Sequence, residues 1–226
     1  MEQNTKQDIK RRSGGLIEVL RAEGEEAPSR VIRGQAIVFD SPTELYRDDE
    51  MIIRESIAKE AVTDELLSGS DILMTIDHDP GRLLARSKKG AGSLKYTLTD
   101  EGVEFEFEAP KTPDGETALE LVRKQIIDGC SFWAEVYADD IDSVRSEEDG
   151  YHVVTRTIKR IAALHDFTIT ARPAYEQTSV EAVARALKDE DAKALAEAEQ
   201  AKADKAKAEE DMRRSWAEVA ALIKKH

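Results

Sequence analysis

The sequence predicts an α+β protein, built as a mainly antiparallel, barrel-like β domain with a few helices and an extended Ala/Glu/Lys-rich helix at the C-terminus. Val103, Phe105 and Phe107 alternate with Glu104, Glu106 and Glu108, the pattern of a half-buried strand with an acidic outer face. Thr112 precedes Pro113, and Leu119, Val122 and Ile126 follow at three- and four-residue spacing, which describes a capped helix with one apolar face. The final 46 residues hold 14 alanines and few larger apolar side chains before Trp216, Val219, Leu222 and Ile223. That composition favours a solvated helix with a small amphipathic patch near its end.

Length and composition narrow the possible functions. A chain of 226 residues, 40% hydrophobic and 35% charged, accommodates one domain of ordinary size and an appendage. No run approaches the ~20 apolar residues that span a bilayer, so no membrane partner is expected. The N-terminal residues carry no apolar segment behind their basic residues, and a single cysteine, Cys130, excludes an internal disulfide framework; both point to the cytoplasm. Residues 181–226 contain 10 Lys/Arg and 11 Asp/Glu, whereas residues 1–180 contain 23 and 36, leaving that part at −13. An acidic body argues against nucleic acid as a partner, because phosphate-backbone binding requires clustered cations.

Taken in order, residues 1–15 read as a disordered leader. Strands are expected at Leu16–Arg21 and Arg30–Phe39, followed by turn chemistry at Asp40–Pro42. The stretch from Ile52 to Leu67 reads as helical, with Ile57, Ala61 and Leu66 inward. Asp71–His78 alternates again and places Ile72, Met74, Ile76 and His78 on one side, with Asp77, Asp79, Pro80 and Gly81 forming a turn around the histidine. Strands follow at Leu83–Ser87, Leu94–Leu98 and Val103–Glu108. The helix from Pro113 is expected to stop at Gly129 in a left-handed C′ position. A strand then begins, with Cys130, Phe132, Ala134 and Val136 facing the core and Ser131, Trp133, Glu135 and Tyr137 facing outward. Asp139–Gly150 reads as an acidic loop, and Tyr151–Ile161 and Leu164–Ala171 as a final strand pair ending before Pro173–Ala174. Residues 16–180 thus form one folded domain and residues 181–226 a helical tail.

Ser131 is the candidate nucleophile, lying just past a glycine on the first exposed residue of a strand. A serine in that setting is more commonly a turn hydroxyl, and as a nucleophile it requires a base. Of the four histidines, His226 is terminal and His152 alternates with Val153 in a surface strand. His78, at a strand end flanked by turn residues, is the candidate base, against the alternative of a turn-capping histidine. Asp166 lies within the apolar run Leu164–Ile169, where a carboxylate must be paired. It is the candidate third member, unless it pairs with Arg160 or Arg172 at a solvated edge. His165 faces the opposite way, so only one of the two points at a given site. One cysteine and scattered histidines give no metal-ligand spacing, and no phosphate-binding glycine loop is present; no cofactor and no metal are expected. Cys130 reads as a small buried hydrophobe.

Four stretches occur in a telling order: Gly34–Phe39, Asp77–Asp79 with Leu83–Ser87, Asp128–Ser131, and Leu164–Ile169 before Pro173–Ala174. In this the chain resembles the tailed-bacteriophage prohead proteases, serine peptidases of capsid maturation distantly related to herpesvirus assemblins, over roughly residues 15–180. The resemblance implies Ser131 as nucleophile, His78 as base and Asp166 where the family usually has a glutamate and assemblins have a second histidine. It also implies Arg172 as a helper of the oxyanion. Where the family has Ser-x-Gly-Phe, this chain has Ser131–Phe132–Trp133–Ala134. Implied substrates are the scaffold or the scaffolding segment of the major capsid protein, and the chain's own tail, inside the assembling prohead in the host cytoplasm. A homodimer follows by analogy with assemblins. The rival from another class is a non-enzymatic assembly factor acting through its helical tail. A cytoplasmic esterase is disfavoured by the lack of a Gly-x-Ser-x-Gly elbow.

Overall fold

A computed structural model of the chain describes residues 6–19, 29–137 and 140–171, and helical positions between 185 and 212. The chain divides into two compact units, Met1–Val180 and Glu181–His226. The described tail positions are helical and, apart from the half-buried Leu187 and Lys188, exposed, and the expected Trp216–Ile223 patch lies outside the described residues.

The first unit is α+β. Its strands are β1 (Lys6–Val19), β2 (Val31–Val38), β3 (Thr43–Arg47), β4 (Met51–Ile57), β5 (Asp71–Ile76), β6 (Asp79–Lys88), β7 (Ala91–Gly92), β8 (Lys95–Leu98), β9 (Gly102–Glu108), β10 (Gly129–Tyr137), β11 (Ile141–Glu148), β12 (Tyr151–Ile158) and β13 (Ala163–Thr170), with helices α1 (Asp64–Gly69) and α2 (Pro113–Arg123). A nine-stranded sheet runs β7-β6-β5-β13-β10-β1-β2-β9-β8, and a four-stranded sheet runs β11-β12-β4-β3. Most pairs are antiparallel, but β13 pairs with β5 and β12 with β4 in parallel. The expected barrel-like closure is absent among the described residues: the larger sheet is open, with β7 and β8 at its edges.

The alternating strands behave as their pattern dictates. Val103, Phe105 and Phe107 of β9 are buried, and Glu104, Glu106 and Glu108 are exposed. They join Phe132, Phe167, Ile72, Met74 and Ile76 in one apolar core, which α2 completes with Ala118, Leu119 and Val122. Thr112 caps α2 by accepting a hydrogen bond from the Gly115 N–H, which satisfies one of the free amides of the first turn.

Five local expectations are corrected. Residues 6–15 of the supposed leader belong to β1, which pairs antiparallel with β10 from Lys6↔Tyr137 to Arg12↔Ser131; residues 1–5 lie outside the described residues. The supposed helix from Ile52 is strand over Met51–Ile57, because both faces of β4 are buried and its apolar residues therefore cluster without period 2; only Asp64–Gly69 is α-helical, capped by Thr63. The helix α2 ends at Arg123, and Gln125, not Gly129, takes the left-handed position, which leaves Ile126 57% exposed. The supposed acidic loop is β11, a strand exposed along almost its whole length and held by its ladder to β12. Finally, β12 and β13 do not pair with each other but lie in different sheets.

Candidate active site

The site is assembled on three adjacent strands, β5, β13 and β10. Ser131 of β10 stands directly opposite Thr168 of β13, and Thr168 stands opposite Thr75 of β5. Residues opposite one another in a sheet project to the same face, and so do residues two apart along a strand. Ser131, Thr168, Thr75, Asp166 and Thr170 therefore form a polar strip on one face of an otherwise apolar region. The opposite face of β10 carries Cys130, Phe132, Ala134 and Val136 into the core, each at most 1% exposed.

His78 reaches this strip from a turn. Asp77 and His78 have φ of 54° and 55° and join Ile76 to its ladder partner Asp79, which makes a two-residue hairpin with both central residues left-handed. Such φ values are uncommon outside glycine, although Asp and His tolerate them better than most residues. Three hydrogen bonds hold the turn in place. The His78 N–H donates to Thr168 Oγ1 at 3.0 Å, the Asp77 N–H to the Ile169 carbonyl at 3.2 Å, and Thr170 Oγ1 to Asp77 Oδ1 at 2.7 Å. Thr168 in turn donates to the Thr75 carbonyl at 3.0 Å and accepts from Thr75 Oγ1 at 3.0 Å. The turn expected around the histidine thus forms and fixes it, but His78 lies within that turn and not at the end of β5, which stops at Ile76.

The ring lies between two sequence-predicted residues. His78 Nε2 is 3.1 Å from Ser131 Oγ, and His78 Nδ1 is 2.7 Å from Asp166 Oδ1. Asp166 is 3% exposed, so its ion pair or hydrogen bond with the ring is shielded from water and correspondingly stronger. His165 is engaged elsewhere, with Nε2 3.1 Å from Glu135 Oε1 and its ring 4.8 Å from that of Trp133. His152 is exposed on β12. Arg172, the expected oxyanion helper, lies outside the described residues, as do Pro173 and Ala174.

Ser131 itself is not exposed as expected: its accessibility is 0%. Its hydroxyl donates to the Arg11 carbonyl at 2.7 Å, and β1 covers it through the Arg12↔Ser131 pairing. The Arg11 guanidinium is turned to the four-stranded sheet, where Nε contacts Glu55 Oε1 and Nη2 donates to Glu55 Oε2 at 3.5 Å. Arg156 of β12 reaches the same carboxylate, Nη1 to Oε2 at 3.3 Å. Sequence reasoning missed Arg11, which sat within a stretch read as disordered. It also passed over Thr168, although a threonine two residues past Asp166 on the same face was a visible sign.

Burial pushes the Cys130 thiol up to about 12, which the backbone hydrogen bonds from Thr168 and Ser131 only partly offset. It remains a neutral thiol facing away from the polar strip and cannot serve as the nucleophile. Among the described residues no cluster of three His, Cys, Asp or Glu side chains could hold a metal ion, and no helix is long and apolar enough to cross a membrane.

In chemical terms, a buried serine hydroxyl, an imidazole and a buried carboxylate stand in line. That order supports proton transfer from the hydroxyl to Nε2 while the carboxylate holds Nδ1–H and stabilises the imidazolium.

None of the curated proteins matches the chain. Among solved structures, the capsid assembly protease of bacteriophage T4 is similar at a TM-score of 0.37 and 14% identity, over 72% of this chain and 98% of that one. The sequence profile described as caudovirus prohead serine protease matches residues 17–193, well over half of the 226 residues. The chain belongs to the caudovirus prohead serine proteases, and is a serine endopeptidase of capsid maturation.

Proposed function

We propose that Ser131 is the nucleophile, His78 the general base and Asp166 the residue that orients His78, in an endopeptidase that trims scaffold, or the scaffolding segment of the major capsid protein, within the assembling prohead. The observation that carries this assignment is the unbroken series Asp166 Oδ1, His78 Nδ1, His78 Nε2 and Ser131 Oγ, at 2.7 and 3.1 Å. Ser131 attacks a substrate carbonyl as His78 takes its proton. His78 then returns the proton to the leaving amine, and water resolves the acyl-enzyme by the same route in reverse. The chain's own tail is a further substrate. Its described helical positions between 185 and 212, most of them exposed, follow the catalytic unit in the same chain, at the high effective concentration a tether provides.

Co-expression with the cognate capsid protein tests this. Processing of the capsid protein and shortening of the chain should disappear in Ser131→Ala while particles still assemble. Identical bands from wild type and Ser131→Ala would remove Ser131 as nucleophile.

A further inference from the structure

A nucleophile at 0% exposure meets no external peptide until something moves, and the covering element is unambiguous. Residues 6–12 of β1 pair with β10 alone, whereas Ile17, Glu18 and Val19 pair with β2. The register slips between Arg12 and Leu16, across Ser13–Gly14–Gly15, so the first half of the strand can release its ladder without disturbing the second. Release would open an edge of β10 beside Ser131, and an open edge next to a nucleophile accepts an extended peptide as an added strand.

The segment now in that position presents what a substrate must present. A peptide carbonyl, that of Arg11, meets the Ser131 hydroxyl at 2.7 Å. The contact is through oxygen and takes the hydroxyl's only proton, which His78 Nε2 needs in order to act as base. The segment is therefore held without being cut. Its side chain is recognised as well: Arg11 is 8% exposed and Glu55 4%, and the guanidinium fork lies on the carboxylate. Two guanidinium groups share this one carboxylate. Burial lowers the proton affinity of Arg156, Glu55 raises it, and the like charge of Arg11 lowers it again. If Arg11 leaves, Glu55 keeps Arg156 as partner, so the vacated site holds a neutral pair and not a bare buried charge. The cluster is built to exchange one cation.

We propose that residues 6–12 occupy the protein's own substrate channel, with Arg11 standing where the residue before the cleaved bond of a substrate stands, and that Glu55 selects arginine or lysine at that position. The inference rests on Ser131 being the nucleophile. Substrates are then extended basic-site peptides drawn to a unit whose net charge is −13. In the productive complex the Ser131 Oγ–C bond forms at the arginine carbonyl, the C–N bond to the next residue breaks, and the leaving amine takes the proton from His78. Water then hydrolyses the ester, releasing a C-terminal arginine.

The test uses the full chain and two peptides, one copying residues 6–15 and one with glutamate in place of Arg11. Hydrogen exchange on Ser131→Ala, read by mass spectrometry, should show the first peptide exposing the amides of residues 6–12 while those of β10 stay protected. The second peptide should need roughly 10- to 100-fold higher concentration, the value of a hydrogen-bonded charge pair. Arg11→Ala should hydrolyse the first peptide faster than wild type does. Equal competition by the two peptides, or none by either, overturns the proposal. Arginine-selective competition with no Ser131-dependent hydrolysis would remove Ser131 as the nucleophile and the substrate-channel proposal with it, leaving residues 6–12 an exchangeable strand held by Glu55. Ser131-dependent hydrolysis with no basic preference would keep Ser131 as the nucleophile and overturn the channel proposal alone.

Discussion

Asp166 Oδ1 stands 2.7 Å from His78 Nδ1 across 88 positions of sequence. An aspartate is one methylene shorter than the glutamate usual at this place in the family. Here it reaches because Asp166 sits on β13 itself, two residues from Thr168, the residue that binds the His78 amide. Asp166→Asn should keep the fold but favour the wrong imidazole tautomer. The turnover number should fall by about 10⁴, with the melting temperature little changed, as read by peptide hydrolysis alongside thermal unfolding.

Thr168 touches no reacting atom but holds the turn that presents His78. Replacing it by valine removes the acceptor of the His78 N–H and the partner of Thr75 at a position with 0% exposure. The expected cost is ~1–3 kcal/mol of stability for buried groups left unpaired. Turnover should fall more than substrate affinity, since the histidine is displaced and the peptide channel is untouched. Denaturant unfolding and steady-state kinetics on Thr168→Val separate the two effects.

Cys130 should be inert to iodoacetamide in the native protein at pH 8 and react only on unfolding. Its folded pKa, about 12, lies above the ordinary value near 8.5, so between the two the folded state holds a proton that the unfolded state has lost. Stability from this group is intact below about pH 8.5 and declines as pH rises, at up to ~1.4 kcal/mol per unit. Cys130→Ala should flatten that alkaline decline in urea titrations. An unchanged decline would assign it to other groups.

Gly115→Ala offers a test of packing against propensity. In an exposed helix interior the change would add about 1 kcal/mol. In α2 a Cβ at this position would run into the Pro110 carbonyl, so the helix start or the preceding chain must shift. The expected result is destabilisation by ~1–3 kcal/mol, seen as a lower midpoint in chemical unfolding.

Several features were legible from sequence because they follow from local rules. The alternation of β9, the Thr112–Pro113 start of α2 and the core face of Cys130, Phe132, Ala134 and Val136 all depend on residue types and short spacings. The candidates Ser131, His78 and Asp166 came with the family resemblance, and the fold brings their side chains together. Others were misread because local pattern was silent or ambiguous. Met51–Ile57 is apolar on both faces, so its periodicity could not separate strand from helix. Ile141–Glu148 is polar on both faces and is a strand only by virtue of β12. The Asp149–Gly150 pair that turns between them, with φ of 49° and 87°, was a hairpin signal that went unused.

By itself the sequence determined the chemical inventory and the direction in which each side chain of a regular strand points, since alternation is set by the pleat. It could not determine what lies against those side chains. Ser131 points away from the core as its alternation requires, yet it is buried by a backbone carbonyl 120 residues earlier, in a segment whose polar composition gives no sign of a strand. Strand pairing draws its hydrogen bonds from the partner's backbone, which every sequence supplies alike. The pairing of β1 with β10, and with it the covering of Ser131, was therefore decided only in the folded chain.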